Sequence, residues 1–230
     1  MDITIVIPVY NRKAYIQRTL DSIPDSYPVI LVDNGSTDGS RERCTQLAKM
    51  RTHTRVAHES TRSAAAARNK GLSLCTTPWI YFFDSDDIFT GLPPVWDETR
   101  DLICFPTRQQ LRGKMQTRAY SPVTTPHTHI LNSMLNTQSM IFRTAFLQSI
   151  GGWNPACLIW DDWELGLRAL LHTPNVQWLT QQAYHTIFVH PDSLTGNSLS
   201  SRIDHILVAL DQAFTDIYDS APFMRIYICV

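Results

Sequence analysis

Residues 79–87 read WIYFFDSDD, a run of five apolar residues followed at once by three carboxylates in four positions. An apolar run of this length that stops at a polar loop is typical of a buried strand in a parallel sheet. The carboxylates repel one another unless a cation lies between them. The loop is therefore either a solvated acidic turn that caps a helix, or a site for Mg²⁺ or Mn²⁺ held together with substrate phosphates. We favour the metal site, because parallel sheets bind ligands where their strands end.

The segments on both sides of this stretch carry alternating strand and helix patterns. Predicted strands lie at 3–7, 29–32, 54–57, 79–83, 102–105, 140–143, 176–179 and 183–189. Predicted helices lie at 15–23, 44–47, 63–74, 130–135, 144–150, 162–171 and 203–217. Asn11 stands where it could cap the first helix. Strands that alternate with helices imply an α/β protein with a parallel sheet covered on both faces.

Bulk composition excludes several classes of protein. The chain has 230 residues, 43% of them apolar, and its formal net charge of −1 gives no reason to expect nucleic acid as a partner. No repeat, low-complexity tract or linker divides the sequence, so we expect a single domain over residues 1–230. The five cysteines are scattered without metal-ligand spacing and are interpreted as reduced thiols of a cytoplasmic protein.

The N-terminal residues MDITIVIPVYNR lack the basic region and cleavage site of a signal peptide. No apolar stretch approaches the ~18 residues that a transmembrane helix needs. We therefore expect a cytoplasmic protein without a transmembrane segment, which could still associate peripherally with the inner face of the membrane.

Three polar clusters follow predicted strands, at residues 8–11 (PVYN), 33–36 (DNGS) and 84–87 (DSDD). Because ligands bind outside the carboxyl ends of the strands in an open parallel sheet, the three clusters should meet at one edge. Taken singly, the first two have structural explanations, since Asn34 and Gly35 form a common turn pair and Asn11 could be a helix cap. Their coincidence at strand ends indicates a binding site.

The ordered motifs TIVIPVYNR, ILVDNGSTDGS, AARNKGL and FFDSDD resemble those of the family 2 glycosyltransferases, inverting enzymes of GT-A fold. The resemblance continues through QSMIFR, IGGWN and WDDWELGLR and extends to about residue 190. It implies a Rossmann-like, mixed but mostly parallel sheet flanked by helices. We expect a nucleotide-sugar-binding half at residues 1–100 and an acceptor-binding half at 101–230.

The resemblance implies roles for individual residues. Those implied to bind the sugar nucleotide are Pro8, Tyr10, Asn11, Asp33, Ser36, Arg68 and Asp84. Among them, Asp33 would bind the base or ribose, and Asp84 the sugar or ribose. Arg68 is a candidate to bind the diphosphate, because the guanidinium group suits phosphate geometry. The alternative is that Arg68 is an ordinary arginine on a helix surface. Asp86 would hold Mg²⁺ or Mn²⁺ on the diphosphate.

Asp161 and Asp162 open a predicted helix, where a carboxylate could simply be a cap. In the family, the second residue of an acidic pair at this place is the catalytic base, which here is Asp162. The family usually has Glu in the first position, where this chain has Asp161. His190 is a further candidate metal or diphosphate ligand, although a histidine at a strand end is more often structural.

These features predict an inverting glycosyltransferase that moves a sugar from a UDP- or GDP-linked donor to a glycan or lipid-linked acceptor, in polysaccharide or glycoconjugate biosynthesis. One alternative is a sugar-phosphate nucleotidyltransferase, but such enzymes carry a Gly-rich basic loop where this chain has PVYN. The other is a non-catalytic carbohydrate-binding protein of the same fold. The carboxylates of Asp84, Asp86 and Asp162 argue against that reading.

Overall fold

The computed structural model describes residues 2–111, 114–118, 125–133, 135–172, 174–188 and 202–220. The described strands are β1 (Ile3–Val9), β2 (Val29–Asp33), β3 (Thr54–His58), β4 (Trp79–Phe82), β5 (Leu102–Cys104), β6 (Thr107–Leu111), β7 (Lys114–Arg118), β8 (Met140–Arg143), β9 (Val176–Trp178) and β10 (Tyr184–Phe188). The described α-helices are α1 (Ile16–Asp21), α2 (Ser40–Lys49), α3 (Ala64–Leu74), α4 (Pro126–Asn132), α5 (Thr144–Ser149), α6 (Asp161–Leu171) and α7 (Ile203–Ser220). A 3₁₀ helix covers Thr137–Ser139.

A mixed sheet of seven strands, in the order β3-β2-β1-β4-β8-β5-β9, forms the centre of the protein. Strands β1 to β4 pair in parallel, as expected for strands joined through helices. Strand β8 runs antiparallel to both of its neighbours, and β5 is again parallel to β9. The prediction of a mixed, mostly parallel sheet is confirmed.

Both faces of the sheet are buried under helices, which explains the continuous apolar runs in the sequence. In β1, Ile5 and Ile7 belong to the core that α1 and α2 cover. Val6, between them, points to the opposite core, which includes residues of α3, α5 and α6. Since successive side chains of a strand alternate between faces, a strand buried on both sides must be apolar at every position.

A second sheet, of order β10-β6-β7, was not anticipated. Strands β6 and β7 form an antiparallel hairpin, and β10 pairs with β6 in parallel. The hairpin strands read TRQQL and KMQTR, which lack the alternation of apolar and polar residues that identifies a strand in sequence. For this reason the sequence predicts no strand between residues 105 and 140.

The first helix also differs from expectation. It begins after Tyr15 with no side-chain cap, so the prediction that Asn11 caps it is wrong. Helix α4 ends at Asn132, three residues before Leu135, which was predicted to lie within it. Ser133 adopts a left-handed conformation after the helix, and Leu135 is buried outside it. Among the helices described, none combines the length and the apolarity that crossing a bilayer requires.

Gly71 allows α3 to lie directly on β1. A Cβ atom at this position would lie 2.9 Å from Val6 Cγ2 and closer still to Cγ1. We expect Gly71→Ala to lower the free energy of unfolding by about 1–3 kcal/mol, since the added methyl group overpacks the core. Urea denaturation would measure the loss.

The exposed Ser73 of the same helix supplies a matched control, and Ser73→Ala should change stability by no more than about 0.5 kcal/mol. In the double variant Gly71→Ala/Val6→Ala the loss should be smaller than the sum of the two single losses, because Val6 is what the new methyl group meets. Strict additivity would contradict this packing explanation.

Candidate functional site

The carboxyl ends of β1, β2 and β4 meet at one edge of the sheet. Val9 at the end of β1 is paired with Asp33 at the end of β2, and Val6 is paired with Phe82 at the end of β4. The three polar clusters at 8–11, 33–36 and 84–87 are therefore brought together, as the sequence predicted. We call this region the strand-end site.

Asp33 is the innermost group on the β2 side of the strand-end site. It is only 1% exposed, and its Oδ1 accepts a hydrogen bond from the backbone N–H of Ser36 at 3.2 Å. Its Oδ2 lies 3.1 Å from Nδ1 of His58, at the end of β3. These contacts fix the buried carboxylate between the neighbouring ends of β2 and β3.

The loop after β1 is held against the loop after β2 by Asn11. This residue adopts a left-handed φ of 50°, and its Oδ1 accepts a hydrogen bond from Thr37 N at 2.8 Å. Its own N–H donates to Ser36 Oγ at 3.1 Å. Asn11 is thus a bridge between two loops, which is the contact it makes instead of capping α1.

Tyr10 and Pro8 occupy different positions in the same segment. Pro8 lies within β1, paired with Val32, and is half-buried. Tyr10 is 41% exposed, and the guanidinium of Arg62 lies over its ring at 4.9 Å while donating to its hydroxyl. An exposed aromatic ring directly after the end of β1 offers a stacking surface to a planar ligand.

Arg12 connects the first loop to the acidic loop after β4. Its Nε lies 3.1 Å from Asp86 Oδ2, and its backbone N–H donates to Ser40 Oγ at 2.8 Å. Arg18 of α1 donates to the backbone carbonyl of Asp86 at 2.7 Å. Part of the positive charge that the three carboxylates require is therefore supplied by the protein itself. Sequence reasoning missed Arg12, although it stands in the quoted motif TIVIPVYNR.

Arg68 is buried and links the sheet edge to helix α6. Its guanidinium donates to Asp161 Oδ2 at 2.5 Å and to Asp84 Oδ1 at 3.1 Å, and it lies 4.3 Å from the ring centre of Trp153. With a relative exposure of 5%, Arg68 is not an ordinary arginine of a helix surface, and that alternative was wrong. Burial raises the pKa of Asp161 to about 6, although the charge of Arg68 acts to lower it.

Asp87 differs from the other two carboxylates of the acidic loop because it is only 2% exposed. Phe188 N donates to its Oδ1 at 2.7 Å, and Gln138 Nε2 donates both to Asp87 Oδ2 and, at 3.1 Å, to Asp84 Oδ2. Burial and the nearby charge of Asp84 raise the pKa of Asp87 to about 8. Gln138 was missed by sequence reasoning, although it begins the quoted motif QSMIFR.

Asp162 lies at the start of α6, beside the ion pair of Asp161. Its Oδ1 accepts from Trp163 N at 2.8 Å, and its Oδ2 accepts from Thr137 N at 3.2 Å. Two backbone amides and the positive end of the helix dipole thus hold a partly exposed carboxylate in a defined orientation. Through Asp161 and Arg68, this carboxylate adjoins the strand-end site.

The described residues contain no group of three His, Cys, Asp or Glu side chains that could hold a metal ion by themselves. Magnesium-type ions are commonly held by one or two carboxylates, with water and substrate phosphates completing the shell. The side chains of Asp84 and Asp86 are 33% and 16% exposed, so both are accessible to a ligand. The raised pKa of Asp87 comes first from burial and then from the charges of Asp84 and Asp86, so Asp87 is not an additional candidate ligand. His190 lies outside the described residues.

The sequence model of glycosyl transferase family 2 matches residues 4–134, more than half of the chain. Among curated relatives, GlyG, a glycosyltransferase of Streptococcus pneumoniae, is 36% identical over 91 residues, which is 37% of this chain and 30% of the relative. TuaG of Bacillus subtilis, named for teichuronic acid biosynthesis, is 38% identical over 90 residues, covering 37% of this chain and 36% of the relative. The matched segment thus spans about a third of these relatives.

Solved structures resemble the protein over nearly its whole length. Staphylococcus aureus TarS 1–349 in complex with UDP-GlcNAc superposes with a TM-score of 0.74 at 19% identity, over 96% of this chain and 68% of that TarS fragment. The mannosyltransferase PcManGT of Pyrobaculum calidifontis, in complex with GDP-Man and Mn²⁺, gives a TM-score of 0.60 at 16% identity, over 96% and 75% of the two chains. At these identities the likeness concerns the fold alone, and it confirms the predicted GT-A architecture.

The buried Asp87 predicts a pH dependence of stability. Its pKa in the folded protein, about 8, lies above its value of about 4 in an unfolded chain. Between these values the folded state holds a proton that the unfolded state has lost, so the free energy of unfolding should fall as pH rises through this window. Asp87→Asn should weaken that fall, measured by urea denaturation between about pH 5 and about pH 8.

The fall should be weakened but not abolished, because the pKa of Asp161 is also raised, to about 6. The half-exposed Asp97 provides the control, since hydrogen bonds from Thr99 lower its pKa and place its titration outside the window. Asp97→Asn should keep the slope of the wild type. An unchanged slope in Asp87→Asn would show that Asp87 does not titrate as the buried geometry implies.

Proposed function

The chain belongs to glycosyl transferase family 2, and from that premise we propose that it is an inverting glycosyltransferase acting on a nucleoside-diphosphate sugar. One observation carries the proposal: a continuous set of contacts joins the nucleotide side of the strand-end site to the acidic pair that opens α6. Arg12 ties the first loop to Asp86, and Arg68 ties Asp84 to Asp161. A donor lying along this edge would end beside Asp162.

The donor site is proposed to lie between the ends of β1, β2 and β4. Tyr10 would stack on the base, and Asp33 would accept hydrogen bonds from the base or ribose. The similar structures contain UDP-GlcNAc in one case and GDP-Man in the other, so both UDP- and GDP-linked donors are retained. Residues 1–100 would supply the donor site, and residues 101–230 most of the acceptor site.

Asp86 is proposed to hold a Mg²⁺ or Mn²⁺ ion together with the phosphates of the donor. The ion would supply positive charge to offset the negative charge that develops on the departing diphosphate. Asp86, the proposed ligand of the ion, is already paired with Arg12. Arg12 would thus be a second positive group at the place where the diphosphate would lie. The Mn²⁺ of the similar mannosyltransferase supports this choice.

Asp162 is the proposed catalytic base. It would take the proton of an acceptor hydroxyl as the oxygen attacks the anomeric carbon, while the bond to the nucleoside diphosphate breaks on the opposite side. A single displacement of this kind inverts the anomeric configuration and requires no covalent intermediate. The two backbone amides that hold Asp162 would aim its carboxylate before the acceptor arrives.

Arg68 is proposed to position the site rather than to bind the diphosphate. Its guanidinium is already bound by two carboxylates and covered by Trp153. It would fix Asp84, on the donor side, relative to Asp161, beside the base. A shift of even 1 Å between donor and base is costly, since displacement needs the reacting atoms at about 3–3.5 Å.

The acceptor is proposed to be a glycan or a lipid-linked molecule, in polysaccharide or glycoconjugate biosynthesis. The name of TuaG supports this class of pathway for a relative. A non-catalytic carbohydrate-binding protein is the remaining alternative, and slow metal-dependent hydrolysis of the donor would separate the two, because a binding protein would leave the donor intact.

A thermal-shift screen tests the donor site directly. Since a ligand that binds only the folded state raises Tm, UDP- or GDP-linked sugars at about 100 times Kd should stabilise the wild type by about 2.7 kcal/mol. We expect the shift to require Mn²⁺ or Mg²⁺ and to be lost in Asp86→Ala. The exposed Asp211 on α7 gives a control, and Asp211→Ala should respond like the wild type. A folded wild type that responds to no sugar nucleotide, UDP or GDP would contradict the proposal.

The base assignment is tested by Asp162→Asn. This variant should keep the nucleotide-induced shift in Tm but lose at least about 100-fold in the rate of sugar transfer, the usual contribution of general base catalysis. Asp161→Asn is the informative comparison: it removes one partner of the buried Arg68 and should lower Tm itself. Normal turnover by Asp162→Asn would rule out Asp162 as the base.

A further inference from the structure

Trp160 exposes its indole immediately before the acidic pair of α6. It is 41% exposed, and it alone among the six tryptophans of the chain is exposed to this degree. Tryptophan is highly buried on average, so a single exposed ring next to a candidate site is an informative exception.

The backbone presents this ring in an unfavourable conformation. Trp160 has φ 58° and ψ 21°, the left-handed region that bulky residues rarely occupy. Its carbonyl oxygen accepts a hydrogen bond from the backbone N–H of Glu164 at 2.9 Å, and this bond of the first turn of α6 stabilises the conformation. Strained residues of this kind are characteristic of ligand-binding positions.

The indole rests on a rigid support. Its ring centre lies 5.7 Å from that of Trp163, which is 5% exposed. Trp163 in turn lies 6.3 Å from the ring of His129 and hydrogen-bonds to the carbonyl of that residue in α4. The exposed ring is therefore anchored to the part of the chain that is proposed to bind the acceptor.

We propose that Trp160 is a stacking platform for a pyranose ring of the acceptor, with Asp162 placed to receive the proton of its attacking hydroxyl. The inference rests on the proposed function, which it deepens by naming the class of acceptor as a saccharide rather than a non-sugar alcohol. The C–H face of a pyranose packs on an aromatic ring, and carboxylates accept hydrogen bonds from its hydroxyls. Trp160 and Asp162, two residues apart, combine both groups.

An exposed tryptophan could also anchor a protein at a membrane surface. The partly exposed carboxylate of Asp162, two residues after Trp160, opposes that use, because it would be repelled by anionic lipid headgroups. A saccharide ring is the occupant that the neighbouring carboxylates favour.

Saturation-transfer NMR with methyl glycosides of glucose, galactose, mannose and N-acetylglucosamine tests the platform without needing turnover. The wild type should saturate the pyranose C–H protons of at least one glycoside, and Trp160→Ala should weaken that binding about tenfold. Trp160→Phe should restore most of it, because it keeps an aromatic face. Leu158→Ala removes an apolar side chain of similar exposure, 40%, and should bind as the wild type does.

The same samples are tested for the shift in Tm with UDP- and GDP-linked sugars, which separates this inference from the proposed function. Loss of glycoside binding in Trp160→Ala with a normal nucleotide shift supports the platform. Glycoside binding that is absent in the wild type, or equal in Trp160→Ala, overturns it, as does loss of both responses together. Absence of a nucleotide shift in the wild type would instead overturn the proposed function. Sedimentation with phosphatidylglycerol vesicles that depends on Trp160, without glycoside binding, would identify a membrane anchor and overturn the platform.

Discussion

The guanidinium of Arg68 lies between two carboxylates from distant parts of the chain, Asp84 after β4 and Asp161 at the start of α6. The position is buried, so removal of the arginine would leave two carboxylates uncompensated, at a cost of about 3–5 kcal/mol for a buried pair. Full burial of one aliphatic core side chain contributes about 1.5–3 kcal/mol. The relative placement of the sheet edge and helix α6 thus depends on this one cation about as much as on one large core side chain, whose truncation to alanine costs about 2–5 kcal/mol.

The three carboxylates after β4 are stabilised in three different ways, and this decides what each is available to do. Asp84 is paired with Arg68 and Asp86 with Arg12, and both side chains remain partly exposed. Asp87 is buried against Gln138 and β10, and its raised pKa indicates that a proton takes the place of a counterion there. Within this acidic loop, Asp84 and Asp86 therefore remain accessible to a ligand, whereas Asp87 has a structural role in the buried interior.

Much of the site could be predicted because it depends on local signals. The clusters at 8–11, 33–36 and 84–87 each follow an apolar run, and parallel strands carry their ends to one edge. Asn11 shows the limit of local reasoning. Its short polar side chain suits a helix cap as well as a contact between loops, and the hydrogen bond that it accepts from Thr37 depends on how the two loops meet. The hairpin of β6 and β7 was missed for a related reason, since both strands have mostly polar sequences and are defined by pairing, β6 with β7 and β10, and β7 with β6.

The sequence by itself determined the family, the α/β class and the residue types at the strand ends, because these follow from periodicity and from motifs within a few residues. Only the tertiary structure decided that Arg68 reaches Asp161, 93 residues away, that Gln138 bridges Asp84 and Asp87, and that Trp160 is exposed beside the acidic pair. Contacts of this kind arise when separately formed elements pack on opposite faces and ends of one sheet. No local pattern encodes them, because the side chains meet only after the chain has folded around its core.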